Sequence, residues 1–159
     1  MTESDLFLPG SICILHSLGD DRQVARRLAQ MGILPGSRLR IVRAAPLGGT
    51  LEVASDQGEL FALRREEMAG LDCRLVAAPL TSPAIRPGQT CTVLSLEGGR
   101  AFRQRMTEKS LRPGSRIRIG EPGTHGLLVS DAATGATIAL GRGEAARIIV
   151  GLTPGGTPE

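Results

Sequence analysis

The chain has 159 residues, 41% of them hydrophobic, and 19 Lys and Arg against 16 Asp and Glu give a formal net charge of +3. This composition supports a core and excludes wholesale disorder, and no apolar run approaches the ~18–20 residues that cross a bilayer. Cys13, Cys73 and Cys91, widely spaced, indicate no disulfide framework, and the start "MTESDLFLPG" lacks the features of a signal peptide, so a cytoplasmic protein is expected.

In chain order, "SICILHSL" is a first strand with Cys13 and Leu15 facing inward. "GDDRQVARRLAQMG" is a helix: Asp20, with Gln23 three residues on, resembles a capping box, and Val24, Leu28 and Met31 fall on one face. Gly32 suits the left-handed residue that ends a helix, and Pro35-Gly36 makes a turn. "SRLRIV" then alternates, Leu39 and Ile41 in, Arg38 and Arg40 out. A hairpin around Asp56–Gly58, one helical turn at Arg65–Met68 and a last strand complete the unit.

That unit occurs twice. Shifted by 78, Pro9–Val42 aligns without a gap on Pro87–Gly120, with thirteen identical pairs that include Arg27/Arg105, Pro35/Pro113, Gly36/Gly114, Arg38/Arg116 and Arg40/Arg118. After one deletion "FALRREEMAG" (61–70) answers "IALGRGEAAR" (138–147). In "QTCTVLSL" only Cys91 and Val93 stay apolar in register, which fixes the inward face of the first strand in both copies. The expected division is 1–76, a proline-containing linker at 77–86, a more divergent copy at 87–152, and a disordered tail at 153–159. A strand, a helix and four short strands per unit are too few for a sandwich and fit a small, strongly bent barrel.

The order "RRLAQMGILPGSRLRIVRAAPLGGTLEVASDQGELFALRREEM" resembles the FeoA family of ferrous-iron transport accessory proteins, through Met31-Gly32, Leu34-Pro35-Gly36, Ala45-Pro46 and Ala62-Leu63-Arg64. The resemblance implies a mainly β fold, two SH3-like small barrels, each with an α-helix inserted after the first strand. It also implies a partner, the cytosolic part of a FeoB-type GTP-binding iron transporter. The second copy departs from the pattern: Lys109-Ser110 replaces Met31-Gly32, Thr124 replaces Pro46, and Leu140-Gly141 replaces Leu63-Arg64. A left-handed Ser110 would cost that copy about 1 kcal/mol.

Reactive chemistry has little support. His16, Asp20 and Asp21 are weak metal candidates: a metal site needs several convergent ligands, and Leu94 replaces His16 in the second copy. Cys13 and Cys91 read as buried thiols acting as small hydrophobes. No phosphate-binding "GxxxxGK" and no nucleophile motif occur, so neither an enzyme nor a cofactor is expected.

The arginines are the better candidates. Arg38/Arg40 and Arg116/Arg118 project from one side of a strand about 7 Å apart. Arg26 and Arg27 approach from the helix end, beside an apolar lip of Met31, Ile33 and Leu34 held by Gly32, Pro35 and Gly36. Pro46, Pro113 and Gly114 complete the structural motif. Such a surface suits an acidic, partly apolar protein partner. The alternatives are a small-barrel nucleic-acid binder, disfavoured because Trp and Tyr are absent and the three Phe (Phe7, Phe61, Phe102) are scattered, and an iron-responsive regulatory module. Direct membrane insertion is not expected, and the oligomeric state is left open.

Overall fold

The computed structural model describes residues 6–152, so the sequence readings for 1–5 and for the 153–159 tail lie outside the described residues. The chain divides into two compact units, 1–76 and 77–159.

The first unit opens with β1 (Ile12–Ser17) and α1 (Arg22–Gln30). There follow β2 (Arg38–Ala44), β3 (Thr50–Ser55), β4 (Leu60–Arg64), the short helix α2 (Arg65–Ala69) and β5 (Asp72–Pro79). Its strands run in the order β4-β3-β2-β1-β5, and β4 ends the run, so the sheet curls around its core without closing. The strands β1–β4 alternate because one face is buried: Cys13, Leu15, Leu39, Ile41, Leu51, Val53, Phe61 and Leu63 all turn inward. Val24 and Leu28 of α1 and Met68 of α2 complete this core. The architecture is the expected SH3-like barrel with a helix after the first strand.

Two local readings change. The N-cap of α1 is Asp21, whose carboxylate accepts from the Gln23 and Val24 amides at 3.0 and 3.2 Å. Asp20 lies one residue outside, because the helix begins at Arg22. Cys13 is not a free thiol but is bonded to Cys73 on β5, with the Cα atoms 5.5 Å apart. β1 and β5 are neighbouring strands, so two cysteines 60 residues apart in sequence meet side by side.

The second unit repeats the plan with β6 (Thr90–Leu96), α3 (Arg100–Glu108), β7 (Arg116–Gly123), β8 (Gly126–Asp131), β9 (Thr137–Gly141), α4 (Arg142–Ala145) and β10 (Ile148–Gly151). Its strand order is β10-β6-β7-β8-β9, and β10 also pairs with Ala77, Ala78 and Pro79. Residues 77–86 are therefore not a free linker. Their first three positions are strand, Leu80 donates to the Ile148 carbonyl at 3.0 Å, and Leu80, Ser82 and Ile85 are buried. Pro79 is tolerated because it ends the strand, where its missing N–H breaks no ladder. Cys91 remains a buried free thiol, its pKa raised by that burial. Phe102 and Met106 fill the place that Val24 and Leu28 occupy in the first unit.

Ser110 has the left-handed backbone expected of it, φ 66°, against 81° at Gly32. Ser110→Gly should therefore stabilise the second unit by about 1 kcal/mol. Chemical denaturation measures this, and an unchanged or lower midpoint would contradict it.

Candidate interaction surface

The junction between α1 and β2 is built from backbone hydrogen bonds. Ile33 N–H donates to the Leu28 carbonyl at 2.9 Å, Gly36 N–H to Leu15 at 2.7 Å, and Leu15 N–H to Ser37 at 2.9 Å. The Ser37 hydroxyl accepts from the Leu34 amide at 3.0 Å. The second unit reproduces each bond: Leu111 to Met106 at 2.8 Å, Gly114 to Val93 at 2.8 Å, Val93 to Ser115 at 2.8 Å, and Arg112 to the Ser115 hydroxyl at 3.1 Å. Gly36-Ser37 and Gly114-Ser115 recur because they supply donors and acceptors to this network. The turn locks the helix exit to the first strand in each unit.

The side chains around the junction do not form one cluster. Ile33 is 1% exposed and belongs to the core, so it is no part of an apolar lip. Met31 is half-buried against the same core, and Leu34 alone stands out, 51% exposed. Arg26 lies on the outer side of α1, where it lines a shallow depression with Arg22, Gln23, Arg27 and Gln30. Arg38 and Arg40 are exposed on the face of β2 that points away from the core covered by α1. Helix and strand arginines therefore occupy different surfaces. Arg116 and Arg118 are exposed on the corresponding face of β7.

Arg27 has a local role. Its guanidinium meets the Glu67 carboxylate of α2 at 3.3 Å, while Glu67 accepts the Arg64 amide at 2.9 Å. Arg105 and Glu144 repeat the arrangement at 3.8 Å, with Glu144 accepting the Gly141 amide at 3.0 Å. Lys109 adds a second cation to Glu144 at 3.4 Å. One carboxylate thus caps the short helix and ties it to the long one in both units. The sequence carried this signal, since Arg27/Arg105 and Glu67/Glu144 align in the two copies.

The Gly141 amide holds the Glu144 pKa below the ordinary value of 4.5, against desolvation that raises it and with Lys109 and Arg105 assisting. A depressed carboxylate contributes stability above its unfolded pKa and loses it as pH falls through the folded one. The second unit should therefore lose stability as pH drops from about 4.5 downward, and Glu144→Gln should flatten that part of the profile. Denaturant midpoints across this range measure it; an equal slope in the variant would refute it.

No group of three or more potential metal ligands occurs among the described residues. His16, Asp20 and Asp21 are all exposed, and Asp21 is engaged as the helix cap. Among the described residues no helix is long and apolar enough to cross a membrane.

Comparison with known proteins agrees with this architecture. The family model for the FeoA domain matches twice, over residues 5–74 and 80–152. No curated protein matches the chain. Among solved structures, it is similar to the solution structure of iron(II) transport protein A from Clostridium thermocellum. The two are 27% identical, with 100% of this chain and 92% of that one covered and a TM-score of 0.51. A FeoA protein from Chlorobium tepidum is 31% identical over 47% of this chain and 70% of that one, with a TM-score of 0.42. A crystal structure of an iron uptake regulatory protein (FeoA) is 30% identical over 47% of this chain and 96% of its own, with a TM-score of 0.42. With both of its units matched, the chain belongs to the FeoA domain family.

Proposed function

We propose that the chain is a cytoplasmic, non-catalytic accessory protein of ferrous iron transport that binds the cytosolic GTP-binding region of a FeoB-type transporter. The double match to the FeoA domain carries this reading. Two surfaces rich in arginine, on α1 and on β2, suit recognition of an acidic partner. Arg38 and Arg40 are exposed members of the expected partner surface, and Leu34 is the apolar residue of the junction that a partner can reach.

Anaerobic uptake of radioactive ferrous iron tests the role. Cells expressing the transporter without this chain should take up less iron than cells expressing both, and the chain alone should add none. Equal uptake with and without the chain would reject the reading.

A further inference from the structure

The outer face of the β2–β3–β4 sheet in the first unit combines apolar and cationic groups that the junction keeps apart. Strand register places Arg40 opposite Ala54 and Ala54 opposite Leu60, then Arg43 opposite Glu52 and Glu52 opposite Ala62, and Thr50 opposite Arg64. A groove of about 410 Å³ runs across it, lined by Ala45, Pro46, Leu60 and Ala62 and bridged by the Arg43–Glu52 ion pair at 2.9 Å. Leu60 is 60% exposed.

Leu47, 99% exposed, follows the lining residue Pro46 on the next turn. The turn is held in place: Gly48 N–H donates to the Ala45 carbonyl at 2.9 Å and Ala45 N–H to Thr50 at 2.9 Å. The Arg65 guanidinium donates to the Gly48 carbonyl. A single exposed leucine is ordinary, but here Leu60 lines the apolar groove together with Pro46, and Leu47 follows Pro46 on the pinned turn.

Charge selects the occupant. Within these three strands Glu52 is the one acid on the outer face, and Arg43 takes it. Asp56 and Glu59 lie at the turn beside Arg38, leaving Arg40 and Arg64 as cations with no acid opposite them in the register. The second unit has lost the combination. At the matching register positions Thr137 replaces Leu60, Gly141 replaces Arg64 and Leu128 replaces Glu52, while Thr124-His125 stands at Pro46-Leu47.

We infer that this face of the first unit docks an acidic protein segment carrying one or two aliphatic side chains, the aliphatic groups meeting Leu47, Leu60 and Ala62 and the carboxylates meeting Arg40 and Arg64. The inference rests on the accessory reading above and names the surface that serves it. A second copy of the same face would set Arg40 and Arg64 against their own kind, and nucleic acid would find no aromatic ring on which to stack.

The test titrates the full chain with the purified cytosolic GTP-binding region of the transporter, in each nucleotide state and at two salt concentrations. The wild type should bind, more weakly at higher salt. Leu60→Thr with Arg64→Gly, residues the second unit uses at these positions, should lose at least tenfold in affinity. Leu47→Ser should lose about fivefold, a shift of about 1 kcal/mol; at a fully exposed position it carries the test if the double variant unfolds. Leu128→Ser, at an exposed leucine of the second unit, should bind like wild type. Unchanged binding by Leu47→Ser and the double variant would overturn the surface and leave the accessory reading standing. No binding by the wild type in any nucleotide state would overturn both. Self-association abolished by Leu47→Ser would assign the face to a second copy and overturn the inference, as would nucleic acid competing for it.

Discussion

Removing the Cys13–Cys73 bond should lower the unfolding free energy of the first unit by about 4 kcal/mol, the chain-entropy value for a closed loop of this length. The cross-link joins residues separated by 60 positions, so it restrains a large part of the unfolded unit. In the folded unit the two residues sit on neighbouring strands, and opening the bond leaves β1 and β5 in place. The effect therefore acts through the unfolded chain. Cys73→Ala and wild type treated with a thiol reductant should unfold at similar denaturant concentrations, both well below the oxidised wild type. Reductant should leave Cys73→Ala unchanged. Cys91 provides the control: it is a free, buried thiol, and Cys91→Ala should not alter the response to reductant. A reductant-insensitive wild type would refute the argument.

The disulfide also marks a limit of reading the sequence. Repetition and alternation placed Cys13 on the inward face of β1, and the structure agrees. Nothing in the spacing of three cysteines says that β5 returns beside β1, because strand order within a sheet is a long-range property. The second copy misleads further, since Val150 occupies the position that Cys73 holds in the first. Local features fared better. The inward sets of β1, β2, β6 and β7, the α1 face at Val24 and Leu28, and the left-handed Ser110 each follow from a periodicity or a cap.

The candidate surface was legible residue by residue but not as a constellation. Arg38 and Arg40 are exposed as the alternation implies. Whether Arg26 and Arg27 join them depends on how α1 lies over the core, and α1 turns Arg27 toward Glu67. Ile33 is buried, not part of a lip, for a related reason. It follows the helix-ending Gly32, and the hydrogen bond its N–H donates to the Leu28 carbonyl folds the chain back so that its side chain enters the core.

Gly19→Ala should destabilise the first unit by about 3 kcal/mol or more, within the range of severe strain combined with steric overlap. Gly19 has φ 77°, and a Cβ there would lie 2.1 Å from the Gly70 carbonyl oxygen, a backbone atom at the end of α2 that cannot rotate aside. Gly32 separates the two contributions. Its φ is 81°, but the nearest atom to a new Cβ is the Gln57 side-chain oxygen at 3.5 Å, an ordinary contact. Gly32→Ala should cost only the left-handed backbone term, about 1 kcal/mol, much as Ser110 does in the second unit. The repeat by itself suggests the opposite for Gly19, because Glu97 occupies the aligned position and is accommodated there. The backbone explains why. In the second unit Glu97 turns its N–H onto the Arg147 carbonyl at 2.7 Å, the counterpart of Gly70, so the hydrogen bond replaces the close approach. The first unit turns its α-carbon onto that carbonyl instead, which leaves no room for a side chain. Thermal or denaturant unfolding of both alanine variants measures the difference, and a Gly19→Ala cost no larger than that of Gly32→Ala would show that the Gly70 segment moves aside.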